Sequence, residues 1–231
     1  MQEYMSQGHL YLSGGGNDDQ SFPLDILFFK EIPTEGKFFY VPIALRGHRL
    51  YPGAADWMKG IVKKHGREDI VFDTADDLSI VTRNDLAGYN AIYIGGGNTW
   101  LLMQEMRESG FDKLLDEYIH SGGVVYGGSA GAIVLGKRVD THDDANEVGV
   151  SDMDGMDVLS GYSVACHFKS EQEDRFAAWA ETNRLPILCL PEDAGIAVVA
   201  GVATCIGSAC ALFAPGGVRR EIAPGESLPL I

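Results

Sequence analysis

The spacing of apolar residues along this chain alternates between two periods, and that alternation predicts its architecture. An apolar run from Gly8 to Ser13 reads as a strand that stops at Gly14-Gly15-Gly16-Asn17-Asp18. Phe22 to Glu31 groups its apolar residues on one face and reads as a helix. Lys37 to Leu45 reads as a second strand, and Tyr51 to His65 as a helix with Ala54, Ala55, Met58 and Ile61 at helical spacing. Ile70 to Phe72 is a third short strand, and Ala91 to Ile94 a fourth that ends at Gly95-Gly96-Gly97-Asn98. Helices over Thr99 to Glu108 and Phe111 to His120 lead to the strand Val124 to Tyr126, and the short apolar segment from Ala130 to Leu135 reads as the start of a buried helix. Strands alternating with helices predict parallel pairing, with helices on both faces of the sheet and the loops after strands on one edge.

Beyond that point the pattern loosens. Asp140 to Asp157 is polar and acidic with scattered glycines, and reads as a surface loop. Tyr162 to Phe168 is a strand, Glu171 to Thr182 a helix with Phe176 and Trp179 on its buried side, and Pro186 to Leu190 another strand. The rest reads as a small C-terminal β meander. The expected fold is therefore α/β: a three-layer sandwich with a mostly parallel central sheet, in one domain spanning residues 1–231. From Ala194 to Gly217 no charged residue occurs, a length that raises a membrane helix. Glycines at 195, 201, 207 and 216 break the run, and short strands joined by tight turns explain it instead.

Composition narrows the function. A formal net charge of -15 argues against nucleic acid and anionic membrane surfaces as partners. Met1 to Gly8 is polar and lacks the basic, apolar character of an export signal. The four cysteines form no C-x-x-C pair and fit reduced thiols in a cytoplasmic protein. No cluster has metal-ligand spacing, and no cofactor is expected. Neither triple-glycine loop fits the G-x-G-x-x-G phosphate cradle.

Candidate chemistry centres on Gly127-Gly128-Ser129-Ala130-Gly131, a G-x-S-x-G match between a strand and a helix. Such a nucleophile elbow presents a Ser hydroxyl at the tip of the sheet in strained backbone. A Ser nucleophile needs a base, and the base an orienting group. Of six histidines, His167 ends the strand after the elbow on the same edge as Ser129; His142, in the acidic loop, is the alternative. Glu192 follows the next strand on that edge and is the candidate to hold the imidazole, with Asp143, Asp144 and Asp154 as substitutes. Backbone N–H groups of Gly97 and Ala130 are the expected oxyanion hole. Cys166, next to His167, would point to the opposite strand face and is not expected to use that histidine as its base.

With these residues assembled, the chain resembles the serine-peptidase family that contains aspartyl dipeptidase (peptidase E) and cyanophycinase. The resemblance rests on Ile94-Gly95-Gly96-Gly97-Asn98-Thr99, on Gly128-Ser129-Ala130-Gly131-Ala132, on His167-Phe168 with Arg175 beyond, and on Glu192. It spans Gly8 to about Gly217, and implies a fold similar to class I glutamine amidotransferases and a triad of Ser129, His167 and Glu192. Asn98 and Arg175 are then candidate substrate-binding residues. Where peptidase E carries an Arg for an acidic substrate side chain, this chain has Lys169-Ser170-Glu171-Gln172-Glu173-Asp174-Arg175, with three acids. Arg175 can anchor a substrate carboxylate or pair with Glu171 one turn earlier. The expectation is a peptidase acting on small peptides, monomeric or homodimeric, without strong preference for Asp-X dipeptides. A serine esterase or amidase, and a non-catalytic binding domain on the same scaffold, remain as alternatives.

Overall fold

The computed structural model describes residues 8–230. In chain order the elements are β1 (His9–Ser13), α1 (Phe22–Glu31), β2 (Lys37–Val41), α2 (Ala54–Lys64), β3 (Val71–Thr74), α3 (Arg83–Leu86), β4 (Ala91–Ile94), α4 (Thr99–Ser109) and α5 (Phe111–His120). They continue with β5 (Val124–Gly128), α6 (Ala130–Leu135), β6 (Ser163–Ala165), α7 (Glu173–Asn183), β7 (Ile187–Cys189), β8 (Ala194–Val199), β9 (Val202–Gly207), β10 (Cys210–Ala214), β11 (Val218–Ile222) and β12 (Ser227–Pro229).

Two sheets organise these strands. The larger has eight, in the order β12-β9-β8-β1-β5-β4-β2-β3, and its β1-β5-β4-β2-β3 half is parallel throughout. The smaller has four, in the order β11-β10-β7-β6. The C-terminal meander is present, but its hairpins divide: β8-β9 extend the large sheet and β10-β11 complete the small one. The strands on either side of α7 thus leave the central sheet, contrary to a reading in which every strand shares one edge. The uncharged run from Ala194 to Gly217 folds as β8, β9 and β10, and no helix among the described residues is long and apolar enough to cross a membrane.

The period-two alternation along the parallel strands sorts side chains onto two faces. Leu10, Leu12, Phe39, Ile92, Ile94 and Val125 join one core with residues of α4, α5 and α6. Tyr11, Phe38, Tyr40, Tyr93 and Tyr126 face the other way, onto Phe28 and Phe29 of α1 and Met58 and Ile61 of α2. Register aligns the tyrosines: Tyr11 is opposite Tyr126, Tyr126 opposite Tyr93, and Tyr93 opposite Tyr40. The Tyr93 and Tyr126 rings stack with centroids 4.3 Å apart. Buried Asp25 anchors this face, accepting the Tyr126 hydroxyl at 2.6 Å and the Ser21 hydroxyl at 2.8 Å. A hydroxyl buried without a partner would cost roughly 1–3 kcal/mol, so the carboxylate makes a polar row tolerable in the core. A third, smaller core joins Ala165, Ile187, Cys189 and Phe213 of the small sheet to Phe176 and Ala180 of α7.

Some boundaries differ from the pattern in the sequence. β2 ends at Val41, because Pro42 has no N–H for the ladder and Ile43–Leu45 winds into a 3-10 turn. α7 is preceded by a 3-10 turn at Ser170–Gln172, and it buries Phe176 while Trp179 is only partly covered.

Candidate active site

Ser129 sits between β5 and α6 with φ 49° and ψ -112°, a conformation that a residue with a Cβ adopts only under constraint. Three contacts impose it. The Ser129 N–H donates to the Ser13 carbonyl at 3.1 Å, and the Ser129 carbonyl accepts from Ala132 and Ile133 at 2.8 and 3.0 Å. Gly131 lets the turn close, since a Cβ there would lie 2.3 Å from the Ile94 carbonyl oxygen.

The Ser129 hydroxyl lies 2.8 Å from His167 Nε2, and His167 Nδ1 lies 3.2 Å from Glu192 Oε1. His167 is just past β6 rather than within it, at φ 54°, with its N–H donated to the Gly14 carbonyl at 2.9 Å. Glu192 follows β7 by the same kind of step. The nucleophile candidate therefore projects from the large sheet, and its partners from the small one. His167 and Glu192 are 47% and 46% exposed, so water reaches both side chains.

A polar cavity of about 380 Å³ opens beside Ser129 and His167 on the α4 and α6 side. Its wall is the acidic loop, which is pinned to the start of α4. Asp144 accepts the Thr99 N–H at 2.7 Å, its carbonyl accepts the Trp100 indole N–H at 3.0 Å, and the Asn98 amide donates to the Ala145 carbonyl at 2.9 Å. Burial works to raise the Asp144 pKa, but hydrogen bonds from His142 and Thr99 outweigh it and hold the carboxyl below its usual range. The Arg175 guanidinium donates to Asp143 at 2.7 Å and holds that carboxyl low as well. Arg175 lines the cavity, and its ionic partner is Asp143 rather than Glu171.

Gly97 borders this cavity, with φ 139°, and packs so closely on Ala44 that a Cβ would meet its carbonyl oxygen at 2.2 Å. Asn98 does not line it. Its side-chain oxygen caps α4 by accepting the Leu101 N–H at 2.9 Å, so its contribution is to hold the loop. His142 borders the cavity with its Nδ1 3.0 Å from the Asp144 N–H, whereas the histidine at Ser129 is His167. The Cys166 thiol lies 3.5 Å from the Ser13 carbonyl and 3.6 Å from the Ser129 carbonyl, and burial pushes its pKa up.

Two residues escaped the sequence reading. Gly15, at φ 93°, leaves space that a Cβ would take from His167 Cε1 at 2.6 Å and Ser129 Cβ at 2.8 Å. Gly96 approaches similarly, with a Cβ position 3.1 Å from Ser129 Cβ. Both lie in triple-glycine loops, a signal of close backbone approach that the failed phosphate motif obscured.

A serine at a strained strand-to-helix turn, with an imidazole in hydrogen-bond reach, on this α/β scaffold is the arrangement of serine-type peptidases, a class of hydrolases. The chain belongs to one family of them: the model of peptidase family S51 matches residues 10–206. Peptidase E of Streptomyces coelicolor is 25% identical over 209 residues, covering 85% of this chain and 82% of that protein. An uncharacterized peptidase of Listeria innocua is 34% identical over 71 residues, 31% of this chain, and the match spans only about a third of that relative's length, 32%. The fold is that of a peptidase from an acI-B1 Actinobacterium, whose crystal structure superposes with a TM-score of 0.66 at 18% identity over 98% of this chain and 99% of that one.

Proposed function

We propose that this protein hydrolyses small peptides through an acyl-enzyme formed on Ser129. The observation that carries the reading is the 2.8 Å contact of Ser129 Oγ with His167 Nε2 at a strained elbow, backed by Glu192. His167 takes the hydroxyl proton as Oγ attacks the peptide carbonyl, then gives it to the departing amine. Water attacks the resulting ester by the same proton path in reverse and releases the acid. Glu192 fixes the tautomer with Nδ1 protonated and stabilises the imidazolium that forms. The N–H of Ala130, at the start of α6 where no intrahelical acceptor exists, and that of Gly97 would receive the oxyanion.

The substrates we infer are small peptides with neutral or basic residues at the polar cavity, not Asp-X dipeptides in particular. Desolvating a substrate carboxylate requires a free cationic partner, and Arg175 is already answered by Asp143, with Asp144 close by. A cytoplasmic location fits the reduced thiols, and a monomer or a homodimer would serve the chemistry equally.

The test is reaction with a fluorophosphonate followed by mass mapping. Ser129 should be the labelled residue, and Ser129→Ala should lose labelling together with roughly 10⁴-fold or more of its turnover while staying folded. A folded Ser129→Ala protein with normal turnover would end the proposal. His167→Ala should match that loss, and Glu192→Gln should cost less, because it keeps a hydrogen-bond partner and removes only the charge.

A further inference from the structure

Ser129 stands between two cavities of different chemistry. The polar one carries Asp143, Asp144, His142, His167 and Arg175. The other, about 430 Å³, opens on the α1 and α2 side, floored by Tyr40, Tyr93 and Tyr126 and walled by Leu45, Leu50 and Trp57. None of its lining residues carries a charge. Its volume lies within the range of about 300–1,000 Å³ typical of ligand sites.

The polar atoms of this lining are largely engaged elsewhere. The Tyr126 and Ser21 hydroxyls donate to Asp25 at 2.6 and 2.8 Å, and the Trp57 indole N–H donates to Asp18 at 3.1 Å. Apart from the Ser13, Tyr40 and Tyr93 hydroxyls, what the cavity offers is ring faces and aliphatic groups. Leu50 and Trp57 at its mouth are 56% and 43% exposed, an apolar surface left in water on an otherwise acidic protein. Gly15 and Gly96 border the cavity where it meets Ser129, and side chains at these positions would close that meeting point.

We propose that this aromatic cavity takes a large apolar side chain of the peptide held at Ser129, making the protein selective for a hydrophobic residue flanking the scissile bond. The inference rests on the hydrolase reading above. It divides the labour: apolar burial on one side of the nucleophile, ionic and hydrogen-bonding groups on the other. Burying a Phe ring in place of an Ala methyl group gives a preference on the order of 30-fold in kcat/KM.

Two dipeptide series test this, X-Ala and Ala-X, with X as Ala, Asp, Lys or Phe, assayed alongside fluorophosphonate labelling of Ser129. In one series Phe should exceed Ala by about 30-fold, and that series identifies which side of the scissile bond the cavity serves. Trp57→Ala should cut the Phe-to-Ala ratio by about tenfold, and Leu50→Glu should cut it at least as far. Both substitutions alter exposed side chains, so thermal melts can verify folding. If Ser129 labels and peptides turn over, but Phe and Ala stay within threefold in both series, the inference falls alone. An unchanged ratio in both variants overturns it too. If neither labelling nor turnover occurs, the hydrolase reading fails and takes this inference with it.

Discussion

Replacing Ser129 by glycine should inactivate the protein and make it more stable than replacing Ser129 by alanine. At φ 49° and ψ -112°, Ser129 occupies backbone that glycine enters freely and any residue with a Cβ does not. Such strain costs of order 1–3 kcal/mol. Alanine keeps the Cβ and therefore the strain, while both variants lose the 2.8 Å hydrogen bond to His167. Against the relief, glycine's freer unfolded chain subtracts about 0.4–1 kcal/mol relative to alanine. The net expectation is that Ser129→Gly is more stable than Ser129→Ala by about 1 kcal/mol, or about 2–4 °C in Tm for a chain of this size. Differential scanning calorimetry on the pair, with urea unfolding as a second measure, reads the difference directly. An Ala variant that equals or exceeds the Gly variant in stability would refute the strain assigned to the elbow.

Gly15→Ala would press a methyl group onto His167 and Ser129, within 2.6–2.8 Å of their atoms, so kcat should drop by about 100-fold or more with unchanged circular dichroism. Turnover at the wild-type rate would show that the loop yields. Asp143→Ala should free Arg175 from its 2.7 Å partner and raise kcat/KM for Asp-Leu relative to Ala-Leu by roughly 5- to 10-fold. In the wild type the same release requires Asp143 to take a proton. The Arg175 hydrogen bond holds Asp143 ionised through the usual carboxylate range, so the Asp-Leu to Ala-Leu ratio should not rise as pH falls toward and through that range. A ratio that climbs at ordinary carboxylate pKa values would contradict the pairing.

Periodicity alone located nearly every element, because the helices and parallel strands owe their form to local apolar spacing. Phe22–Glu31 and Phe111–His120 fold over the spans their patterns suggest, and a helix begins at Ala130 as its apolar run implies. The meeting of Ser129, His167 and Glu192 was legible because each lies just after a strand. Sheet membership was not legible: nothing local in Ser163–Ala165 or Ile187–Cys189 says that the first pairs with the second and the second with β10, and neither with β5. The tyrosine row was hidden for a similar reason. One tyrosine per strand is unremarked until parallel register sets Tyr40, Tyr93 and Tyr126 side by side. Arg175 meets Asp143 across 32 positions, where short-range spacing pointed to Glu171. Asn98 stands at a helix start, and capping is what its position in the chain best supports.

That division between sheets makes the geometry of the candidate site depend on a joint. The hydroxyl belongs to one sheet, the imidazole and carboxylate to another, and the strands leading to them have no ladder in common. What holds the two in alignment is the shared core, to which Val164, Leu188 and Leu212 of the small sheet contribute, together with a seam of packed backbone where the His167 N–H meets the Gly14 carbonyl at 2.9 Å and Gly14 lies against Pro191. A seam can slip by an ångström without either sheet melting, and an ångström is enough to disable proton transfer. Loss of activity and loss of fold should therefore be separable in mild denaturant, with turnover disappearing while the far-ultraviolet spectrum is still native.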